Sequence, residues 1–410
     1  MTLLIRHARI VTLAPPPDSA ALTTSRRRRG KALRELGVIP RGDVLVQDGR
    51  IAAVGPEIAA PADAEIIEAD GRVLMPGFVD CHTHACWAGD HIDSWERRLA
   101  APPAAEAQSR AADLFSTVHA VRDATRKQLG AALRTRLDSV LASGTTTIEV
   151  KSGYGLTVDA ELKMIHAIQR AASDWPGTIV PTALLGHACE GDAATYTREV
   201  VREMLPAIWH EFPGITIDAR CAADAWPVEA CVRLFERATK HGLPVRIAAD
   251  EFNSTGMVPE ALKFHARSVD HLESAAKADL LALAATDTFA VMTPAASFHS
   301  SNRYARAGAF VDSGGLLALA SDFNPLTSPT YSMPFVIAVA VRCCGLTPAE
   351  AIAACTVNAA AVLGLADRGT IEPGRRADLI LLHHRDERLL AYELGGNPVD
   401  LVIVAGRRFP

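Results

Sequence analysis

The sequence predicts an α/β barrel, and three observations lead there. Eight short apolar segments with strand character recur between residues 71 and 323. Amphipathic helical patterns separate most of them. Polar or ionisable residues collect at the C-terminal ends of several of the apolar segments. Near-continuous apolar strands alternating with helices imply a parallel sheet covered by helices. Eight such units fit a (β/α)₈ barrel, in which chemistry sits where strands end and loops begin. An open doubly wound sheet would want a Gly-rich phosphate loop after its first strand. Here the first strand ends in "DCHTH".

The expected strands lie at 71–84, 145–155, 178–188, 215–223, 243–251, 268–273, 288–296 and 315–323. Between them, "DAELKMIHAIQRAASD" (159–174) and "PVEACVRLFERATKHG" (227–242) place apolar residues on one helical face and carry start or stop residues at an end. The two termini read differently. "DVLVQDGRIAAVG" near the start and "RADLILL" and "VDLVIVAGRRFP" near the end are short strands. Turn signals at Asp48-Gly49 and Gly406 punctuate them. The expectation is a small composite β-sandwich domain from residues 1–70 plus 366–410, and a barrel from 71–365. Residues 17–42 read as a polar insertion in the small domain.

Composition narrows the function. A formal charge of −5 argues against nucleic acid or an anionic membrane as partner. The run Arg26–Arg29 reads as a solvated loop rather than an RNA-binding or targeting element, because the acidic remainder outweighs it. No signal peptide and no membrane span are expected, since charged residues interrupt every long apolar run. The eight cysteines form no CxxC pair and sit in apolar patterns, which suits a reducing cytoplasm and buried free thiols.

The candidate chemistry lies at the strand ends. His82 and His84 form an HxH pair, and alternation puts both imidazoles on one face of the strand. Two neutral imidazoles facing one way suit zinc or iron. The other strand ends supply Lys151 and Tyr154, His187, Asp250 and Glu251, Asp270 and His271, and Asp322 with Asn324. Blander readings stand beside these. His187 also reads as a hydrogen-bonded core histidine, Tyr154 as a packed loop tyrosine, and Lys151 as the partner of a nearby carboxylate.

"PGFVDCHTH", "SVDHLE" and "ASDFNP" together resemble the metal-dependent amidohydrolase superfamily. "TTTIEVKSGYGL", "LLGHA", "ASDFNPLTSP" and "GGNPVD" narrow this to the imidazolonepropionase family, and the similarity runs through most of residues 71–410. The resemblance implies His82, His84 and Asp322 as metal ligands, with Asp322 also taking a proton from water. It implies His271 beside the metal as the group that polarises or protonates the substrate. Tyr154, His187 and Glu251 would hold the ring and the reacting amide, and Asn324, Leu326 and Thr327 would line the site. The implied reaction is hydrolysis of 4-imidazolone-5-propanoate to N-formimidoyl-L-glutamate in histidine degradation. Hydroxide would come from water activated by one divalent metal, zinc or iron. A homodimer is implied as well.

Three departures from the family pattern carry weight. Ala248 stands where the family has a further histidine ligand, and a methyl group cannot ligate. His91 stands where the family has an arginine that grips the substrate carboxylate, with Arg97 or Arg98 as candidates to compensate. "AADLF" (111–115) replaces a Gly-rich loop, and Leu326 replaces a small residue. These departures leave two alternatives to imidazolonepropionase-like hydrolysis: an amidohydrolase acting on another cyclic amide or amidine, and a catalytically silent homologue. Cys86, two residues beyond His84, is a remote candidate for a substitute ligand.

Overall fold

The computed structural model describes residues 2–15, 27–100 and 106–409. Strands β1 (Thr2–Val11), β2 (Val38–Gln47), β3 (Arg50–Gly55), β4 (Glu65–Glu68) and β5 (Val73–Pro76) precede the barrel. The barrel strands are β6 (Phe78–Asp80), β7 (Thr145–Lys151), β8 (Thr178–Gly186), β9 (Thr216–Cys221), β10 (Val245–Ala249), β11 (Ser268–His271), β12 (Phe289–Met292) and β13 (Leu317–Leu319). They pair in sequence order as an eight-stranded sheet, every ladder parallel. All eight expected strands are present, each shorter than its apolar segment, because the segment's C-terminal end becomes loop.

The barrel closes at a seam between its first and last strands. Asp322 N–H donates to His82 O (3.1 Å), His84 N–H donates to Phe323 O (2.9 Å), and Thr83 bridges Phe323 in parallel. Below them, Ser321 donates from its backbone and its hydroxyl to the Asp80 carboxylate. Closing the barrel therefore brings His82 and His84 against Asp322.

Helices α1 (Ile92–Ala100), α2 (Glu106–Asp123) and α3 (Arg126–Ala142) fill the connection from β6 to β7. Helix α4 (Val158–Asp174) follows β7 and starts at Thr157, whose side chain accepts from Ala160 N–H. The helix at Val228–Lys240 shows how the outer layer is held. Its Ala230, Cys231, Leu234, Phe235 and Ala238 recur at helical spacing and are buried. Burying Leu234 and Phe235 contributes about 1.5–3 kcal/mol each.

The composite β domain expected from both termini is one connected sheet. It adds β14 (Leu379–Leu382), β15 (Val399–Val404) and β16 (Arg407–Phe409), ordered β16-β15-β14-β5-β1-β2-β3, with β4 also on β1. Leu3, Ile10, Val46, Leu74, Leu381 and Ile403 share its core. Val73–Pro76 pair with β1 and β14, so this stretch belongs to the small sheet and the chain enters the barrel at Gly77. A Cβ on Gly77 would lie 2.4 Å from the Thr146 side chain, so only glycine fits that crossing. Val38–Gln47 are strand, which shortens the expected polar insertion at its C-terminal end.

Within the arginine run Arg27 is exposed, whereas Arg28 is buried and Arg29 half-buried, so neither lies in a solvated loop. Arg26 lies outside the described residues. Arg28 is buried and donates to Leu13 O, Ala14 O and Ala32 O. Arg29 donates to Ala284 O, Thr286 O, Gly314 O and the Asp287 carboxylate. These guanidiniums satisfy backbone carbonyls where the small domain meets the barrel. Cys343 is exposed, whereas six of the other cysteines are buried and Cys189 is half-buried. Among the described residues no helix is long and apolar enough to cross a membrane.

Candidate active site

The C-terminal ends of the barrel strands line a cavity that opens to solvent. His82, His84, Asp322, His271, His187, Tyr154, Glu251, Asn324, Leu326 and Thr327 all line it. His91 does not. Its Nε2 meets the Thr117 hydroxyl at 3.0 Å, and its ring faces an adjoining recess with Trp87, Trp95 and Arg98. Cys86 does not line the cavity either. It packs in the apolar core, and burial pushes its thiol up to about 12.

The ligand-type atoms of His82, His84 and Asp322 lie within 4.8 Å of one another. Asp322 Oδ1 is 3.5 Å from His82 Nε2 and 3.6 Å from a His84 ring nitrogen, Nε2. A tetrahedral metal with bonds near 2.1 Å separates its ligands by ~3.4 Å, so the spacing fits. The protonation chemistry fits too. His82 Nδ1 is 2.6 Å from Asp270 Oδ2. That carboxylate accepts from Nδ1–H, which leaves the lone pair on Nε2, an atom that is buried and has no hydrogen-bond partner. Burial, followed by neighbouring positive charges, holds both imidazoles well below their usual pKa and therefore neutral.

Asp270 is itself held from below. Arg246 donates to it at 2.7 Å and Ser268 at 2.5 Å. Arg246 also donates to Glu149 at 2.7 Å, and Lys151 donates to Glu149 at 3.0 Å and Asp218 at 2.5 Å. Lys151 thus pairs with neighbouring carboxylates. This buried network spans β7, β9, β10 and β11 and forms a charged layer beneath the cluster.

Asp322 carries φ +54°, His271 +78° and Asp250 +59°, conformations that non-glycine residues rarely adopt. Such strain collects at functional strand ends. Burial raises Asp322 to about 7. Asn324 ties its loop down, donating to Asp322 O (2.6 Å) and Oδ2 (3.0 Å) and accepting from Leu326 and Thr327 N–H. Asp250 turns away from the cavity and accepts from Thr255 N–H and hydroxyl, leaving Glu251 as the acidic residue of that loop on the cavity wall.

The Thr293 hydroxyl donates to Glu273 at 3.2 Å, so at 3.1 Å it accepts from His271 Nδ1. Nε2 of His271 is left to the cavity. Burial works against the His271 imidazolium, but the charges of Glu251, Glu273 and Asp322 outweigh it and raise the pKa to about 10. His187 Nδ1–H donates to Gly153 O (3.0 Å), and the ring stacks on His84 at 5.0 Å. Burial lowers it to about 4. The Tyr154 ring lies 5.0 Å from His187, and burial raises its phenol.

Ala248 lines the same wall and offers no ligand atom. Residues 111–115 are helical, part of α2, and Ala111, Leu114 and Phe115 reach the cavity. Sequence reasoning missed Arg110, Arg220 and Phe252, which also line it. A signal existed for the layer below: Glu149, Asp218 and Arg246 interrupt apolar strands at positions where an interior-facing charge needs a partner.

The match to known proteins decides the family. A family model described as the amidohydrolase family matches residues 73–409. The chain belongs to that family. It is 41% identical over 378 residues to an imidazolonepropionase of Deinococcus radiodurans, covering 92% of this chain and 94% of the relative. An imidazolonepropionase of Herpetosiphon aurantiacus is 40% identical over 396 residues, covering 92% of each chain. Within the amidohydrolases the chain therefore groups with the imidazolonepropionases, as a hydrolase of cyclic amide carbon–nitrogen bonds. Solved structures agree on the fold. A triazine hydrolase variant superimposes with a TM-score of 0.76 at 16% identity, over 99% of this chain and 94% of that one. An atrazine chlorohydrolase of Arthrobacter aurescens, solved with zinc, gives 0.74 at 16% identity with the same coverage. The family is metal-dependent, and the structure brings His82, His84 and Asp322 together as a cluster that could hold a metal ion.

Proposed function

We propose that this chain opens the ring of 4-imidazolone-5-propanoate, giving N-formimidoyl-L-glutamate, with one divalent metal held by His82, His84 and Asp322. The observation that carries the reading is the convergence of that cluster with His271, Glu251, Tyr154 and His187 in one cavity. Two imidazoles and a carboxylate suit zinc or iron. When bound, such a metal supplies Lewis acidity at the ring carbonyl and lowers the pKa of water at its open position.

The side chains supply the rest. Asp322 takes a proton from the attacking water through the carboxylate that Asn324 holds in place. His271 Nε2 donates toward the developing negative charge on the carbonyl oxygen. His187 and Tyr154 pack on the planar ring. Glu251, fixed by Arg220 at 3.3 Å, accepts from a ring N–H and orients the bond to be cleaved. A cytoplasmic homodimer acting on this small molecule completes the proposal.

The test is turnover. Purified protein is mixed with 4-imidazolone-5-propanoate and the loss of its ultraviolet absorbance is followed, with metal per chain measured on the same sample. Turnover with close to one metal per chain supports the reading. Metal bound without turnover points to another cyclic amide or amidine. Metal well below a tenth per chain, even after incubation with zinc, sinks the hydrolytic reading.

A further inference from the structure

We propose that Glu161 is a positioning residue for ring recognition. Its carboxylate ties down the loop 153–156 and, through that loop, aims Tyr154 and His187 into the cavity. The inference rests on the ring-opening reading, in which those two side chains pack on the planar ring. The loop leaves the end of β7 and carries Tyr154 to the cavity wall. Glu161 stands just beyond it, buried in the first turn of α4. Its Oε2 accepts from Gly153 N–H at 2.8 Å. Its Oε1 accepts from Gly155 N–H at 2.7 Å and from Leu156 N–H at 2.9 Å. One carboxylate thus holds backbone donors on both sides of Tyr154.

The helix does not need this carboxylate. The Thr157 side chain caps α4, and Thr157 O accepts from Glu161 N–H at 2.9 Å. The loop does need it. Leu156 carries φ +54°, a conformation that non-glycine residues rarely adopt, and its N–H is one of the three that Glu161 holds. A Cβ on Gly155 would lie 2.6 Å from Glu161 N, so the loop sits directly on the first turn of the helix.

The carbonyls of the loop are engaged as well. Gly155 O accepts from Arg122 Nε–H at 2.8 Å, and Leu156 O accepts from the Tyr196 hydroxyl at 3.3 Å. Gly153 O accepts from His187 Nδ1–H at 3.0 Å. This last bond reaches the site. It fixes the tautomer and the plane of the His187 ring, which lies 5.0 Å from the Tyr154 ring. Gly153 therefore joins Glu161 on one side to His187 on the other.

The experiment compares wild type, Glu161→Gln, His187→Ala and the double variant as full-length, metal-loaded protein. Glutamine keeps the length of the side chain, but whichever way its amide turns, the NH2 meets a backbone N–H. Three readouts are taken: kcat and KM for ring opening, calorimetric binding of 3-(imidazol-4-yl)propanoate, and melting temperature. A misplacement of about 1 Å caused away from the chemistry can cost about a hundredfold. Glu161→Gln should lower kcat/KM by about 10–100-fold, mostly through KM, and weaken binding by at least about tenfold. In the His187→Ala background the same change should cost at least about threefold less, because one of its two routes to the ring is gone. A merely structural role lowers the melting temperature and costs the same factor in both backgrounds; that result overturns the proposal. A folded Glu161→Gln with unaltered kcat/KM and binding also overturns it and leaves the ring-opening reading standing. A wild type that opens no ring, yet binds the imidazole compound with the same dependence on Glu161 and His187, supports the positioning role and removes the ring-opening reading. A wild type that neither opens the ring nor binds the compound overturns both. Should Glu161→Gln fail to fold, Glu161→Asp, which keeps the charge and withdraws it by one methylene, carries the same comparison.

Discussion

Replacing Asp270 by Asn tests the layer beneath the metal cluster. The Asp270 carboxylate is fully buried and faces three groups: His82 Nδ1 at 2.6 Å, Arg246 at 2.7 Å and the Ser268 hydroxyl at 2.5 Å. Asparagine keeps the shape but loses the charge and turns one acceptor into a donor. His82 and Arg246 share Oδ2, so the amide keeps an acceptor for them only by turning its NH2 to the Ser268 hydroxyl, which already accepts from Arg246 Nε. Removing one partner of a buried ion pair costs ~3–5 kcal/mol. Arg246 retains Glu149 at 2.7 Å, so the expected loss of stability lies near the lower end of that range. His82 also loses the group that fixes its tautomer. Loss of such a partner costs about 10–100-fold in metal affinity, or about 1.4–2.7 kcal/mol. Urea unfolding of the metal-free protein reads the first effect alone, and competition against a chelating dye reads the second. If Asp270→Asn bound zinc within twofold of wild type and unfolded within about 0.5 kcal/mol of it, Asp270 would not be what orients His82. The argued link between the barrel interior and the site would then fail.

Other outcomes follow from the same geometry. Ala248→His adds an imidazole to the wall that His82, His84 and Asp322 share. It should tighten metal binding by at least about tenfold, read by dye competition, because a nitrogen that binds the metal directly outweighs a group that only orients a ligand, itself worth about 10–100-fold. Removing metal with a chelator should abolish ring opening while far-ultraviolet circular dichroism stays unchanged, since the charged layer under the cluster is built entirely from protein groups; zinc or iron should restore turnover. Arg29→Ala removes the donors to Ala284 O, Thr286 O and Gly314 O without touching the cavity. It should lower stability by about 1–3 kcal/mol, seen as a shorter half-life on heating, with kcat unchanged.

The barrel was legible because its signal is periodic. Each expected strand exists, and the helix read at 159–174 is found at Val158–Asp174. What the pattern did not carry was pairing. Residues 71–84 read as one strand, but Val73–Pro76 hydrogen-bond to β1 and β14, partners from distant parts of the chain. Arg28 and Arg29 read as a solvated run, because nothing local shows that Leu13 O, Ala284 O and Gly314 O wait for donors. In the cavity, residues at strand ends were readable from barrel geometry and the family resemblance, and His82, His84, His271 and Asp322 come together there. Arg110 was not readable, since it reaches the cavity from a helix in a long connection. His91 was assigned by alignment position alone, and the fold of residues 85–92 directs its ring to Thr117 instead.

The charged layer explains why the barrel interior departs from the usual packing of branched apolar residues. Glu149, Asp218 and Asp270 face Lys151 and Arg246, so carboxylates exceed cations by one just beneath the cluster. An apolar layer of the same volume would be as stable or more so, because burying ion pairs is costly. It would not orient anything. His82 needs a carboxylate at Nδ1 to present a lone pair at Nε2, and Arg246 donates to that carboxylate in a dry interior. The surplus negative charge also favours a cation directly above it. Stability is given up in the barrel core so that two neutral imidazoles and one strained aspartate face the same point, and this arrangement persists although Ala248 contributes no donor.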